Sequence, residues 1–567
     1  MKILDRKELK IFLTFFLIYC YFSKWDGWSE DSEFALIRAI VEENRFEIDS
    51  FANYTGDRFV QGKHYYTSKS PGEPFLAVPI YATFNSIYSA LPSNFTDQYR
   101  EDNIIEKYYI DIPYKGKAEF FYEPNPGALI LISMILSTAL TSSLFSAMST
   151  VLIYKISKHF TKEEKIRLSL TIAYGLATLI FPNALVFTGS GTSTFFVFLS
   201  FFLLFEIKNA KTNINKYSII SGILLGFGVS IRPELILIAG LFFIYLLLIK
   251  KEKILLFLIG VLIGIMPNLI YNNILFSSDI LSLKYDPTIW YKGGAEGIST
   301  DFSIKSVWLD YYGYYAAQNP LWMLFWLLPY KGVFFYHPIF SFCLISFYFM
   351  YKNFKKESIL FILIFCILII FSSSFWLYKI PLPASFGMKY LTASSPFLII
   401  PFIYFIQKFG LKVAWIIIAL GVFINFLGLQ DYTRPSTYGY TELWETNPEF
   451  RKKISSFEIN PLLDYYFPLF LKNGPCSPIF GGAISGTIPD IRRTEFNYEP
   501  ITIFSFNGQE VKLVTKFLCL VPIFILVLLI WKKEFLGLIK AKIKWMDGKI
   551  LFIVSLIIFL ILFIRIY

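Results

Sequence analysis

Four short stretches of the chain combine residue types that can do chemistry. The first, Trp28-Ser29-Glu30-Asp31-Ser32-Glu33, puts three carboxylates within four residues. A carboxylate at a membrane surface is partly desolvated and therefore more basic, so it can take the proton of a hydroxyl acceptor as a general base. The second is Gly62-Lys63-His64-Tyr65-Tyr66-Thr67-Ser68-Lys69-Ser70-Pro71-Gly72. Here Lys69, just before a Pro-Gly turn, is placed to neutralise a phosphate as it departs. The third, Ser230-Ile231-Arg232-Pro233-Glu234, sets an Arg and a Glu between two apolar runs. Charge is costly there, which points to an ion pair or to an anion site facing an internal cavity. The fourth, Ser385-Phe386-Gly387-Met388-Lys389-Tyr390-Leu391, puts Lys389 at the mouth of another apolar run as a phosphate or sugar contact. Each stretch also has a plain structural reading. These are a solvated loop with a capped helix start, a snorkelling interfacial lysine, a polar turn and a lysine anchoring a helix end.

The elements that must position these residues follow from composition. The chain has 567 residues, of which 55% are hydrophobic, 19% aromatic and only 17% charged, and its mean hydropathy is +0.53. The apolar residues come in long runs, which marks an all-α polytopic membrane protein rather than several soluble domains. Apolar windows predict spans near 9–23, 128–154, 168–188, 194–208, 217–231, 234–249, 254–276, 333–351, 359–376, 391–406, 413–429, 515–531 and 550–566, about thirteen transmembrane helices. The net charge of +11 arises from Lys and Arg in short loops between spans, so it implies no nucleic-acid partner. Of five cysteines, Cys20, Cys343, Cys366 and Cys519 lie in apolar runs and only Cys476 in a long polar loop, which excludes a secreted disulfide framework. Ile11 to Phe22 follows Lys2, Arg6, Lys7 and Lys10 without a small-residue cleavage site, and is read as a retained first span.

Basic residues near span ends stay on the cytoplasmic side. Alternate loops carry Lys155 to Arg167, Lys208 to Lys216, Lys250 to Lys253, Lys352 to Lys356, Lys408 with Lys412, and Lys532 to Lys549, which predicts a cytoplasmic N-terminus. Pro74 to Pro92 would break this alternation as a span and is read as a helix at the outer surface. The domain organisation is then a membrane core of 1–429, including outer loops 24–127 and 277–332, an outer loop region of 430–514, and a C-terminal pair of spans in 515–567. Function is therefore expected on the extracytoplasmic face, where two glycosylation sequons, at Asn53 and Asn94, also fall. The pairs Gly222 with Gly226 and Gly260 with Gly264 predict close helix packing. No Walker loop, GxGxxG or HExxH occurs, and three histidines exclude a histidine-rich metal site. Trp308 to Gly313, with Tyr314, Tyr315, Trp322 and Trp326, is read as an interfacial aromatic helix.

Read in order, several blocks resemble the multi-pass glycosyltransferases of the C superfamily, of the family 39, protein mannosyltransferase and aminoarabinose transferase type. They run from Trp28 through Ala39-Ile40-Val41-Glu42-Glu43, Phe46-Glu47-Ile48-Asp49 and Thr55-Gly56-Asp57-Arg58 to His64-Tyr65-Tyr66-Thr67-Ser68-Lys69-Ser70-Pro71-Gly72. Later blocks are Tyr174 to Thr178, Phe181-Pro182, Gly226 to Gly228 with Arg232-Pro233, Tyr271-Asn272-Asn273, Gly332 to Pro338, Phe386 to Leu391 and Asn460 to Asp464. The long, partly helical first outer loop agrees with the family.

The resemblance implies a membrane enzyme that moves a sugar from a polyprenyl-phosphate donor to a hydroxyl on a lipid, a surface glycan or a protein, inverting the anomeric carbon. Glu30 falls best on the family's base, with Asp31 as rival; Lys69 matches the lysine at the donor phosphate, and Arg232 and Lys389 are supporting cations. Asp49, His64, Tyr65 and Tyr66 are implied substrate contacts. No cofactor is required for certain, and a divalent cation stays open. Relatives often carry His where Ser190 stands and Arg where Lys389 stands, so donor geometry is expected to differ. A flippase of lipid-linked sugars and a non-catalytic subunit of a glycan-assembly complex are the competing classes; the short cytoplasmic loops count against the first, and the presence of Glu30 and Lys69 against the second.

Overall fold

The structure is a computed structural model that describes residues 4–23, 28–55, 58–61, 63–92, 106–112, 116–122, 128–209, 213–276, 332–374, 386–428, 462–467, 505–506, 509–510 and 520–536. The aromatic stretch Trp308 to Trp326, Cys476, Cys519, the Asn94 sequon and the expected span 550–566 lie outside these residues. Three helices belong to the N-terminal third: α1 (Arg6–Phe22), α2 (Trp28–Glu43) and α3 (Gly72–Ser89). Next come α4 (Ala128–Thr138) and α5 (Leu144–Ile156), joined by a π-helical turn at Ala139–Ser143. The central set is α6 (Glu164–Ala177), α7 (Ile180–Ala184), α8 (Ser190–Asn209), α9 (Ile214–Ile231), α10 (Ile236–Lys250) and α11 (Ile254–Phe276). The remainder are α12 (Val333–Tyr336), α13 (Ile339–Tyr351), α14 (Lys355–Ser374), α15 (Ser395–Ile399), α16 (Phe402–Phe409), α17 (Leu411–Leu427) and α18 (Val521–Ile530).

Each expected span from 9–23 to 515–531 falls on one of these helices or on a broken group of them. Among the described residues, four segments are long and apolar enough to cross a membrane: Ile132–His159, Ser190–Lys208, Ile214–Ile231 and Pro233–Leu275. A pair bent by 48°, Lys389–Ile399 with Phe402–Phe409, makes a fifth, so thirteen spans are not reached. Ile339–Tyr351, Leu411–Leu427 and Val521–Ile530 are apolar but shorter, Pro233–Leu275 takes in two expected spans, and 168–188 is not one helix. The chain leaves helical geometry at Thr178 (φ −126°, ψ 177°) and runs through Leu185, Val186 and Phe187, all buried, before α8 starts. Irregular backbone at membrane depth is tolerated where protein covers it.

The all-α reading also misses three short antiparallel hairpins: β1 (Arg58–Gln61) with β2 (His64–Thr67), β3 (Glu106–Ile112) with β4 (Gly116–Tyr122), and β5 (Ser505–Phe506) with β6 (Gln509–Glu510). All lie in segments read as outer loops. Aromatic and β-branched residues in β1 to β4, such as Val60, Tyr65, Tyr108 and Ile110, favour extended backbone there.

The basic loops gather at one end of the bundle. Asp5 caps α1 through the backbone N–H groups of Lys7 (2.9 Å) and Glu8 (2.8 Å), and the buried Glu8 carboxylate takes Lys155 and Lys158 at 3.2 Å each. Lys7 pairs with Glu164, Lys10 with Glu534 (2.6 Å), His159 with Glu206 (2.9 Å) and Lys208 with Glu357 (2.9 Å). These links join the loops that the basic-residue rule assigns to a single side.

The glycine pairs determine how the helices reach the other end. A Cβ on Gly222 would lie 2.9 Å from the Cα of Gly260, and one on Gly226 would lie 3.0 Å from the Cα of Gly264. Since 222 faces 260 and 226 faces 264, α9 and α11 run parallel with backbones in contact, and α10 returns between them in sequence. Close backbone packing of this kind drives helix association where the surroundings are as apolar as the side chains. We expect Gly226→Leu to cost about 1–3 kcal/mol by overpacking and to lower the melting temperature in detergent; an unchanged melting temperature would contradict the contact.

Candidate active site

The acids of the first stretch lie on α2, with Glu30 and Asp31 in its first turn. Glu30 is 1% exposed, Asp31 4% and Glu33 6%. Three carboxylates so deep within about one helical turn need neutralisation or nearby cations. Helical spacing separates them: Glu30 and Glu33 share one stripe, while Asp31, Phe34, Ala35 and Arg38 form the next. That second stripe, with Phe51, Ile130 and Met134, lines a small recess. On the opposite edge of α2, Ser32 Oγ and Thr67 Oγ1 meet at 2.7 Å and tie the helix to the end of β2.

From β2 the chain enters the Lys69 turn, which is clamped onto the bundle. Lys69 N donates to Thr67 Oγ1 (3.1 Å), Ser70 Oγ donates to the Ser230 carbonyl (2.5 Å), and Asn268 Nδ2 donates to Ser70 Oγ (3.0 Å). Gly72 is required here, because a Cβ would stand 2.5 Å from the Ser230 carbonyl carbon. Two residues beyond Ser230, the backbone N–H of Arg232 still caps α9 by donating to Gly228 O (2.9 Å). The Arg232 side chain donates from Nε to Glu234 Oε1 (2.8 Å) and from Nη1 to Thr188 O (3.4 Å), and its guanidinium lies 4.8 Å over the Tyr390 ring. Lys389 Nζ is 5.8 Å from the centre of the same ring, so both cations lie close to Tyr390. The ion pair expected at Arg232-Pro233-Glu234 is thus present, yet buried Nη2 has no partner among the described residues.

One buried carboxylate in this region was not anticipated. Glu73, the second residue of α3 and 1% exposed, accepts at Oε1 from Ser142 Oγ and Thr192 Oγ1, both at 2.8 Å. Its Oε2 has no partner among the described residues. A Cβ added at Gly189 (φ +69°) would lie 2.8 Å from this Oε2 and 3.6 Å from Arg232 Cδ, so the two side chains meet around Gly189. The π-helical turn at Ala139–Ser143 presents Ser142 to the carboxylate, and the first turn of α8 presents Thr192. Burial pushes Glu73 up to about 7, against the pull of Ser142, Thr192, Thr141 and Arg232. Glu33 is held well above the usual carboxylate range, first by burial and then by Glu73, with Glu30 adding to it and Lys69 and Arg232 opposing. Glu30, Glu33, Glu73, Lys69 and Arg232 therefore share one electrostatic neighbourhood. The only sequence signal for Glu73 was an acid opening an otherwise apolar helix.

The remaining expected contacts form a separate group. Asp49 accepts from Tyr65 N (2.7 Å) and meets His64 Nδ1 (2.7 Å), with Arg45 at 3.9 Å, and Tyr66 Oη donates to Glu47 (3.3 Å). Burial would raise Asp49, but the Tyr65 N–H and His64 outweigh it and hold the carboxylate below its ordinary range. His64 is half exposed, and Arg58 lies 4.8 Å over the Tyr65 ring. These residues fasten the β1–β2 hairpin to the segment after α2. Among the described residues, no three of His, Cys, Asp and Glu are grouped to hold a metal ion.

Comparison with known proteins agrees with the resemblance. Residues 127–271 match the family model of dolichyl-phosphate-mannose-protein mannosyltransferases. The matched stretch includes the blocks at Tyr174, Phe181, Gly226 and Arg232, together with Ser142 and Thr192, but not α2 or the Lys69 turn. No curated protein matches the chain. Two structures of the Archaeoglobus fulgidus oligosaccharyltransferase align with 80% of it. One is the apo form (10% identity, TM-score 0.35) and one is a complex with an inhibitory peptide and a dolichol-phosphate (11%, 0.38). The chain spans 60% of the length of each.

A carboxyl that titrates near 7 when folded and near 4.5 when unfolded keeps its proton in the folded state across that window. Its stabilising contribution is full below about 4.5 and is lost as pH rises to about 7. Thermal unfolding in detergent between pH 4.5 and 8 should therefore show wild type losing stability with rising pH. Glu73→Gln should lose less, by on the order of 3 kcal/mol; equal slopes would contradict the burial of an ionisable Glu73.

Proposed function

We propose that this protein moves a sugar from a polyprenyl-phosphate donor to a hydroxyl acceptor by a single inverting displacement, at the bundle end opposite the basic loops. The observation that carries the reading is the convergence of Glu30 and Glu33 with Lys69 and Arg232 beside the clamped turn. The match of residues 127–271 to the mannosyltransferase family model supports the donor class and makes mannose the first sugar to try. By the positive-inside rule the site faces the extracytoplasmic side and the N-terminus the cytoplasm.

The chemistry asks little beyond position and charge. The acceptor hydroxyl gives its proton to a carboxylate as its oxygen bonds to the anomeric carbon. The bond from that carbon to the phosphate oxygen breaks, and polyprenyl phosphate leaves with the electron pair. Glu30 is the base on this reading, because it lies on the stripe of α2 that shares its surroundings with Lys69 and Arg232. Asp31, on the neighbouring stripe, lines the recess with Phe34 and Phe51. Lys69 and Arg232 stabilise the departing phosphate, with Lys389 close to the Tyr390 ring that Arg232 also touches. Asp49, His64, Tyr65 and Tyr66 reach substrate through the hairpin they brace. The acceptor is a lipid, a glycan or a protein hydroxyl, and segment 430–514 helps to select it.

The test is purified protein with a panel of polyprenyl-phosphate sugars and crude membrane extract as acceptor, read by mass spectrometry for free polyprenyl phosphate. Wild type should release it. Glu30→Gln should lower kcat by about 10²–10⁴ with little change in donor KM, and Lys69→Ala should lose release as well. Near-normal turnover in Glu30→Gln with loss in Asp31→Asn would move the base to Asp31. No release from any donor would favour a flippase, seen as uptake without product, or a non-catalytic subunit.

A further inference from the structure

The displacement proposed above makes no use of Glu73, although this carboxylate is as deeply enclosed as Glu30, each being 1% exposed. Its Oε1 is satisfied by Ser142 and Thr192 at 2.8 Å, whereas Oε2 is buried, without a partner among the described residues, and turned to the Gly189 corner that it shares with the Arg232 side chain. Arg232 has its own unpartnered buried nitrogen, Nη2, and a carboxylate partner elsewhere, Glu234. Glu73 therefore does not hold Arg232 as its ion-pair partner. Its charge is added to, or withheld from, a site whose cations are otherwise placed.

We propose that Glu73 is a positioning residue that sets the net charge of the donor-phosphate cradle: protonated, it leaves Lys69 and Arg232 to the phosphate, and ionised, it repels the phosphate and weakens donor binding. This rests on the phosphate site of the preceding reading. The groups that face Glu73 are Glu33 on α2, Arg232 between α9 and α10, and the hydroxyls of Thr141, Ser142 and Thr192; one step further out, Glu30 and Lys69 act on Glu33, and Glu234 pairs with Arg232. The packed faces of α4 and of the π-helical turn bring no titratable side chain. Burial places the proton change of Glu73 near neutrality, where it matters to a working enzyme. Linkage runs both ways, so a bound phosphate anion raises the proton affinity of Glu73, and binding takes up a proton.

The probe is the methyl ester of polyprenyl phosphate, a phosphodiester that keeps one negative charge throughout the range, so any pH dependence belongs to the protein. Binding to the full chain in detergent is measured from pH 5.5 to 8.5 for wild type, Glu73→Gln, Glu33→Gln and Thr192→Val. Wild-type affinity should fall about tenfold with rising pH. Glu73→Gln, whose amide oxygen still accepts from Ser142 and Thr192, should hold the low-pH affinity at every pH. Thr192→Val removes a donor to the ionised carboxylate and should move the midpoint to higher pH. The proposal is overturned by pH-independent binding in wild type, by an unchanged slope in Glu73→Gln, by a slope lost only in Glu33→Gln, or by no binding at any pH. The two readings fail separately. Sugar transfer with a pH-independent donor KM would remove this inference alone, and pH-dependent binding without transfer would remove only the reaction.

Discussion

Ser230 is the joint on which the site depends. Its carbonyl accepts from Ser70, its hydroxyl donates to the Gly264 carbonyl at 3.2 Å, and its backbone leaves no room for a Cβ on Gly72. One residue thus fastens an extramembrane turn, the end of α9 and the flank of α11. Remove the joint and Lys69 becomes a surface lysine on a free loop, while Glu73 loses the helix start that carries it inward. The hydrogen bonds are ordinary in strength, each about 1 kcal/mol net, but they are buried, and leaving the Ser230 carbonyl unpaired would cost more than the bond itself.

Around that joint, burial and charge oppose each other. Four acids lie within two short helix starts, at 6% exposure or less, which water would never favour. The cations make this tolerable without matching the acids one to one: Arg232 is committed to Glu234, and Lys69 acts on Glu33 from a partly exposed position. The result is that Glu33 and Glu73 are both held above the usual carboxylate range, chiefly by burial. A fully paired network would leave these acids ionised and more stable.

Much of this was legible in the sequence, and the exceptions have physical causes. Helices α2 and α3, close packing at the glycine pairs and the ion pair that was one of two readings of Arg232 and Glu234 follow from local pattern, whereas the pairing of α9 with α11 in parallel needed the fold. Glu73 was not legible, since its partners Ser142 and Thr192 are 69 and 119 residues away in the chain. The difference between Glu30 and Asp31 also needed the fold: adjacent residues read alike until the helix is rotated against Lys69 on one side and Phe51 on the other. The hairpins in outer segments escaped a reading tuned to long apolar windows, and the break at Thr178 was hidden because the residues beyond it stay apolar.

The contact between α9 and α11 has a consequence for how a lipid tail could enter. Where Gly222 meets Gly260 and Gly226 meets Gly264, the backbones themselves touch, so no acyl or isoprenoid chain can slide between them. Leu255, Leu262, Ile270 and Ile274, each more than half exposed on α11, give the helix an outward apolar face beside that seam. On the proposed function, a lipid tail reaching the cradle at Lys69 and Arg232 passes around this pair rather than through it. The seam thereby narrows the directions from which an apolar chain can approach this part of the bundle.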